Sequence, residues 1–230
     1  MKKLVVLSGS GISAESGIPT FRASDGLWEN HRIEDVATPE AWVRNPTLVL
    51  EFYHQRRIRA RDAEPNKGHR MLAELQEHFD VSIVTQNVDD LHERAGSRHV
   101  IHLHGSLFEA RSSVDETLIY PIEGTTLTIG EKCSKGSQLR PNIVWFGEAV
   151  PLMDVAIHHA MAADLFIVVG TSLQVYPAAG LIQYVPYEAQ KFVVDPKLPN
   201  VRHMPYLHMF EEMASTGLVK VRDLLLKEFV

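Results

Sequence analysis

Cysteine is nearly absent from this chain, since its 230 residues include a single one, Cys133. A lone thiol excludes an internal disulfide framework, and it also excludes a structural zinc site built from paired thiolates. We therefore expect no zinc, no metal site, and an inert thiol at Cys133.

Long apolar runs and an excess of positive charge are also missing. No run approaches membrane-spanning length, and the apolar stretch after Lys3 is too short for a secretory signal. The net charge of -6 gives no general attraction to nucleic acid or anionic membranes. We expect a cytoplasmic protein that binds neither nucleic acid nor membrane.

Short apolar segments bounded by turn residues recur along the chain with helical patterns between them, which is the order of an α/β fold. Segments such as Leu165–Val169 are apolar on both faces, as parallel strands covered by helices on each side are. The sequence therefore predicts a doubly wound parallel sheet. The predicted strands are 4–8, 81–85, 100–104, 143–146, 165–169 and 192–195, and the predicted helices are 39–61, 67–79, 151–163, 176–184 and 211–228.

Two segments do not fit this sheet. Residues 22–66 are helical and bear arginines, and residues 105–142 are rich in Ser, Thr, Gly and Pro. We predict that these insertions form a smaller lobe within one unit, residues 1–230. The larger lobe then comprises about 1–21, 67–104 and 143–230.

The first predicted strand runs directly into a glycine-rich turn and then a predicted helix. Gly9, Gly11 and Ala14 occupy the small positions of G-x-G-x-x-[G/A], a pattern that lets the backbone approach a pyrophosphate at a helix N-terminus. The pattern predicts a dinucleotide, although glycines also mark ordinary turns. A simple dehydrogenase would continue with a second strand that ends in an acidic residue. The segment 23–32 is polar and interrupted by glycine, so no such strand is predicted there.

Polar residues also follow four predicted strands at their carboxyl ends, where α/β sheets bind ligands. We expect these ends to converge on one crevice. His104 ends one such strand before a glycine, which places its imidazole at the mouth of the sheet as a general base. His102 is expected to be structural. The other candidate residues at these strand ends are Gln86, Asn87, Asp89, Gly170, Thr171, Ser172 and Asp195.

Five motifs stand in an order that resembles one known family. They are GSGISAESGIPTFR at 9–22, TQNVD at 85–89, LHG at 103–105, WFGE at 145–148 and GTSL at 170–173. By these motifs the chain resembles the sirtuins, NAD-dependent protein lysine deacylases with a Rossmann-like sheet.

The resemblance implies that NAD lies across the crevice. The acyl-lysine carbonyl oxygen then attacks C1′ of the nicotinamide ribose, nicotinamide leaves, and His104 removes a ribose hydroxyl proton, which gives free lysine and O-acyl-ADP-ribose. Asn87, in the nicotinamide pocket, is the second implied catalytic residue. The implied NAD-binding residues are Gly9, Gly11, Ala14, Phe21, Arg22, Gln86, Asn87, Asp89, Gly170, Thr171, Ser172, Asp195 and Ala214, with Met213 beside the last.

The resemblance also implies how an acylated protein or peptide binds, as an extended strand between two segments of the chain. Phe146 would contact the lysine stem. The implied substrate-binding residues of these segments are Val144, Phe146, Gly147, Leu173 and Val175.

Tyr53 and Arg56 share one face of a predicted helix, where a hydroxyl and a guanidinium can together bind a carboxylate. In sirtuins, Tyr-x-x-Arg at this place is associated with removal of succinyl, malonyl or glutaryl groups. We therefore expect acidic acyl groups as substrates besides acetyl. Arg57, Arg59 and Arg61 are expected to form a solvated face.

Three departures from the family pattern are present. The paired cysteines that bind zinc in most sirtuins are missing, Ser10 replaces the usual alanine, and Asp195 stands where asparagine is frequent. A negative charge at Asp195 disfavours a 2′-phosphate, which predicts NAD over NADP. Two other functions stay open, an ADP-ribosyltransferase and a non-enzymatic NAD-sensing module.

Overall fold

The computed structural model describes residues 1–20, 27–28, 31–201 and 203–230, with only the backbone of residues 27–28. The strands are β1 Lys3–Ser8, β2 Leu27–Trp28, β3 His31–Arg32, β4 Asp80–Thr85, β5 Val100–His102, β6 Gly105–Ser112, β7 Ile119–Pro121, β8 Leu139–Ile143, β9 Leu165–Val169, β10 Gln190–Val194 and β11 Leu207–Phe210. The helices are α1 Gly11–Ala14, α2 Ile33–Val36, α3 Pro39–Arg44, α4 Pro46–Asp62, α5 Lys67–Glu74, α6 Leu91–Arg94, α7 Met153–Met161 and α8 Ala214–Phe229. Within the described residues, two 3₁₀ segments span Leu75–Glu77 and Ala178–Tyr184.

The main sheet has six strands in the order β11-β10-β9-β1-β4-β5, and every neighbouring pair is parallel. This arrangement confirms the predicted doubly wound sheet. Because β1 lies between β4 and β9, the strand order reverses on either side of it. Such a reversal opens a crevice at the carboxyl ends of the strands, which is where these folds bind ligands.

The alternation of side chains along β1 explains why both faces of the sheet are covered. Leu4 and Val6 pack with α5 and α8 on one face, whereas Val5 and Leu7 pack with α7 and the 3₁₀ segment 178–184 on the other. Both faces of the strand are therefore apolar, as its sequence requires. Among the described residues, no helix has the length and apolar character needed to cross a membrane.

A second, antiparallel sheet has the order β7-β6-β8. The predicted strand at 143–146 is wrong, because β8 ends at Ile143 and belongs to this smaller sheet. The prediction also missed β11, the edge strand of the main sheet. All four residues of β11 are half-buried, and its sequence, Leu-His-Met-Phe, is not the fully apolar run that predicts a buried strand.

The predicted helix 39–61 is two helices that meet at Asn45. The Asn45 N–H closes α3 on the Ala41 carbonyl at 2.8 Å, and its Oδ1 accepts the Leu48 N–H at 3.1 Å, which caps α4. Pro46 follows as the first residue of α4, where no N–H is needed. Thr38 caps α3 as predicted, through the Ala41 N–H at 3.1 Å.

The glycine turn after β1 lies directly against the turn after β9. The Gly9 N–H donates to Val169 O at 3.0 Å, and the Gly11 N–H donates to Gly170 O at 2.8 Å. Gly170 has a φ of +64°, and a Cβ built on it would lie 2.2 Å from Ile12 N. The turn therefore requires glycine at 170 both for its backbone conformation and for this close contact.

Replacing Gly170 with alanine is expected to lower the free energy of unfolding by about 2–5 kcal/mol, from left-handed backbone strain plus overpacking. Gly124→Ala is the matched control, because Gly124 has a φ of +74° but an added Cβ meets nothing within 4 Å. The control is expected to lose only about 1–2 kcal/mol. Urea unfolding measures both, and equal losses would contradict the close contact between the turns.

Candidate active site

A cavity of about 850 Å³ lies at the carboxyl ends of β1, β4, β5, β9 and β10. This volume falls within the range of ligand pockets, about 300–1,000 Å³. The structure therefore brings the four predicted strand ends to one crevice. The predicted residues that line it are Gly9, Gly11, Ala14, Tyr53, Arg56, Gln86, Asn87, Asp89, His104, Val144, Phe146, Gly147, Gly170, Thr171, Ser172, Val175, Asp195, Met213 and Ala214.

Leu173 is the one described residue of the predicted site that does not line the cavity. Leu173 packs instead against the apolar core beneath the sheet, and its backbone has a φ of 54°. Phe21 and Arg22 lie outside the described residues. The helix expected after the glycine turn is short, because α1 has only four residues.

Ser13 of α1 joins two predicted pocket residues, although the sequence analysis did not single it out. Asn87 Nδ2 donates to Ser13 Oγ at 3.1 Å, and Ser13 Oγ donates to Asp89 Oδ2 at 3.1 Å. Burial raises the pKa of Asp89, against hydrogen bonds from Leu91 and Ser13 that lower it. The only available signal was the place of Ser13 within the glycine motif.

His104 has a defined tautomer. Its Nδ1 lies 3.0 Å from the Gln86 carbonyl oxygen, which only accepts hydrogen bonds, so Nδ1 carries the proton and Nε2 is the basic atom. Burial lowers the pKa of His104, and the hydrogen bond to Gln86 opposes this only in part. The imidazole is therefore neutral at pH 7 and able to accept a proton at Nε2.

His102, expected to be structural, holds the backbone of Asn87. Its Nδ1–H donates to Asn87 O at 2.9 Å, and its Nε2 lies 2.7 Å from Glu93 Oε1. Burial opposes the charged form of His102, but the hydrogen bond and charge of Glu93 outweigh burial and raise its pKa. His102 thus supports the cavity wall from behind.

Tyr53 and Arg56 lie on the same face of α4, as predicted, and both line the cavity while being almost wholly buried. Tyr53 Oη accepts the indole N–H of Trp145 at 3.0 Å. Burial raises the pKa of Tyr53 to about 12, although the nearby Arg56 charge lowers it. The cavity therefore contains a protonated phenol beside a guanidinium.

The solvated face expected of Arg57, Arg59 and Arg61 is wrong for Arg57. This side chain is fully buried, and its Nε–H donates to Thr125 O at 2.7 Å. Burial lowers the pKa of Arg57 to about 10. Arg59 and Arg61 are exposed.

These features together match one protein family. Its family model, named the Sir2 family, matches residues 9–177. This chain belongs to the Sir2 family. The resemblance to sirtuins found in the sequence is thereby confirmed.

Individual Sir2 relatives match most of the chain. A protein of Bacteroides thetaiotaomicron named "NAD-dependent protein deacylase" is 48% identical over an aligned length of 231, and the alignment covers 98% of this chain and 99% of that protein. A solved Sir2 homologue in complex with NAD has a TM-score of 0.87 and 40% identity, and covers 98% of this chain and 90% of its own. A Sir2 complex with a p53 peptide and NAD has a TM-score of 0.72 and 29% identity, with coverage of 98% and 92%.

In this Sir2 chain, one side-chain hydrogen bond joins two of the turns that line the crevice. Gln86 Nε2 donates to Thr171 Oγ1 at 3.2 Å, which ties the turn after β4 to the turn after β9. Asp195 Oδ1 accepts the Lys197 N–H at 2.8 Å. Burial raises the pKa of Asp195 against this hydrogen bond. A carboxylate thus lines the cavity at the end of β10.

The region around Cys133 is held by hydrogen bonds between side chains. Cys133 is buried, with its Sγ 3.1 Å from Ser137 Oγ, and Ser137 Oγ lies 3.0 Å from Ser112 Oγ. Across the described ranges, no group of three or more His, Cys, Asp or Glu residues is placed to hold a metal ion. That this Sir2 chain needs no zinc stays a prediction.

Two buried histidines lie behind the crevice, His69 on α5 and His92 on α6. Their ring centroids are 5.0 Å apart. Ser8 Oγ donates to Thr85 Oγ1, so the His92 Nε2–H donates to Ser8 Oγ at 2.9 Å. Burial lowers the pKa of both rings, that of His69 to about 4. Both are neutral in the folded chain near pH 7.

We expect the free energy of unfolding to decrease as pH falls from about 6.5 to about 4. The pKa of His69 is near 6.5 in the unfolded chain and about 4 in the folded chain, so only the unfolded chain takes up this proton between those pH values. The resulting loss of unfolding free energy is about 3 kcal/mol by pH 4. Urea unfolding across this range measures it.

His69→Gln is expected to make the free energy of unfolding less steeply dependent on pH, because about one proton fewer is taken up on unfolding. The matched control is His78→Gln, at an exposed histidine in the turn before β4, which keeps the wild-type slope. If His69→Gln leaves the slope unchanged, His69 is not the group that resists protonation.

Proposed function

We propose that this chain is an NAD-dependent protein lysine deacylase that releases nicotinamide and O-acyl-ADP-ribose. The observation that carries the proposal is His104, a neutral imidazole whose Nδ1–H is committed to Gln86 O, in a cavity wall shared with the glycine turn. The name of the Bacteroides relative supports the activity. The peptide and NAD in a solved Sir2 complex support the two substrates.

The cavity fits a dinucleotide by its volume of about 850 Å³ and by the small residues Gly9, Gly11 and Ala14 in its wall, which leave the backbone accessible to a ligand. NAD supplies a ribose carbon activated by nicotinamide as the leaving group. His104 Nε2 accepts a ribose hydroxyl proton, and its pKa allows this near neutral pH. Asn87 and Asp89, fixed through Ser13, form the pocket for the nicotinamide group.

Several finer points belong to the same proposal. Asp195 selects NAD over NADP through its negative charge. The chain acts in the cytoplasm on acylated proteins. It needs no zinc and binds neither nucleic acid nor membrane. Residues 22–66 and 105–142 form the smaller lobe. The implied binding roles of Phe21, Arg22 and Leu173 are included, with Leu173 acting through its backbone.

Tyr53 and Arg56 select the acyl group. The phenol remains a hydrogen-bond donor at neutral pH because its pKa is about 12, and the guanidinium supplies the positive charge for a terminal carboxylate. Both side chains are buried, so water screens the pair weakly. We propose that succinyl and malonyl groups are removed as well as acetyl groups.

His104→Ala is expected to slow the formation of free lysine and O-acyl-ADP-ribose from acyl-lysine peptides and NAD by at least about 100-fold, the usual contribution of a general base. His99→Ala removes an exposed histidine outside the cavity and serves as the control. Undiminished turnover of His104→Ala would contradict the proposed function. A stable ADP-ribose adduct on protein, seen by mass spectrometry, would indicate ADP-ribosyl transfer instead.

Arg56→Met is expected to lower kcat/KM for succinyl-lysine peptides about 10- to 100-fold more than for acetyl-lysine peptides, because a charge-assisted hydrogen bond is lost. Arg59→Met changes an exposed arginine of the same helix and should leave the ratio of the two activities unchanged. Kinetics on matched peptides measure this ratio. Equal losses on both peptides would remove Arg56 from acyl selection.

A further inference from the structure

One buried hydrogen bond joins the wall that faces the acyl group to the segment that follows β8. Tyr53 Oη and Trp145 Nε1 are 3.0 Å apart, although 92 residues separate them in the chain. Tyr53 has no exposed surface, and Trp145 is 2% exposed. An indole nitrogen only donates, so Tyr53 Oη is the acceptor of this bond.

The acceptor role of Tyr53 leaves its own O–H to be directed elsewhere. A phenol oxygen has one proton, and the Trp145 N–H occupies a lone pair of that oxygen. Among the described residues, Trp145 is the only hydrogen-bond partner of Tyr53 Oη. Because Tyr53 lines the cavity, a ligand in the cavity provides the acceptor that this O–H lacks.

The indole that makes this bond is itself fixed from two sides. The guanidinium carbon of Arg140 lies 3.3 Å from the Trp145 ring centroid. Glu148 Oε2 accepts the Trp145 backbone N–H at 2.8 Å, and Glu148 Oε1 lies 2.7 Å from Arg140 Nη1. Arg111 Nη2 also donates to Glu148, at 3.0 Å. The buried ion pairs therefore hold the ring in one place.

We propose that Trp145 is a positioning residue for acyl selection. Its indole N–H occupies Tyr53 Oη and turns the Tyr53 O–H toward the cavity, where the O–H donates to the terminal carboxylate of an acidic acyl group. This inference rests on the proposed deacylase function. It assigns to Trp145 a role through Tyr53 rather than a contact with the substrate.

Trp145→Phe keeps an aromatic ring but removes the N–H. We expect the ratio of kcat/KM for succinyl-lysine over acetyl-lysine peptides to fall about three- to tenfold, mainly through a higher KM for the succinyl peptide. Trp42→Phe is the matched control, because Trp42 packs beside Trp145 at 6.0 Å between centroids and does not line the cavity. This control should keep the wild-type ratio.

A double-mutant cycle with Tyr53→Phe separates positioning from packing. If Trp145 acts through the Tyr53 hydroxyl, Trp145→Phe has no further effect on the ratio in the Tyr53→Phe background. A further loss there, or equal losses on both peptides in the single variant, would overturn the proposal.

The wild-type protein provides a test that does not depend on the folding of a variant. The ¹⁵N NMR signal of the Trp145 indole N–H should shift further when a succinyl-lysine peptide is added than when an acetyl-lysine peptide of the same sequence is added, because donation by Tyr53 strengthens the bond it accepts. Equal shifts overturn the proposal. An enzyme that removes acetyl but not succinyl groups overturns this inference together with the proposed removal of acidic acyl groups, but leaves the deacylase function standing. A protein that removes neither group overturns the deacylase function itself.

Discussion

The contact between the turn after β1 and the turn after β9 is the constraint on which the site depends. Gly11 donates to Gly170 O at 2.8 Å, and no side chain fits between the two turns. This contact places α1, and α1 places Ser13 against Asn87 and Asp89. The glycines, predicted from the phosphate-binding pattern, thus serve the packing of two protein turns as well as the approach of a ligand.

Buried polar groups set the protonation states of the site. The Gln86 carbonyl fixes the His104 tautomer, and the chain from His92 through Ser8 to Thr85 fixes the end of β1. Because a buried polar group is costly without a partner, each hydrogen bond restricts the next residue to one arrangement. The His104 imidazole is therefore held by a backbone carbonyl, and it stays uncharged near neutral pH.

The sequence predicted what depends on local pattern. Apolar runs located five strands of the main sheet, and polar strand ends located the crevice. The edge strand β11 was not predicted because it is only half-buried. The division of the predicted helix 39–61 at Asn45 was also missed, although Pro46 marks it. The bond between Tyr53 and Trp145 lay beyond sequence reasoning, because no local pattern reports a contact between residues 92 positions apart.

Buried arginines fix the positions of neighbouring segments in this chain, and their directed hydrogen bonds do so more specifically than apolar packing. Arg57 donates to Thr125 O at 2.7 Å, and Arg140 stacks on Trp145 while pairing with Glu148. A guanidinium has five donors in a fixed plane, so each buried arginine orients several neighbours at once. The segment from β8 through Glu148 is thereby held against α4. The position of Tyr53 in the cavity wall therefore depends on these ion pairs, since Trp145 contacts both Tyr53 and Arg140.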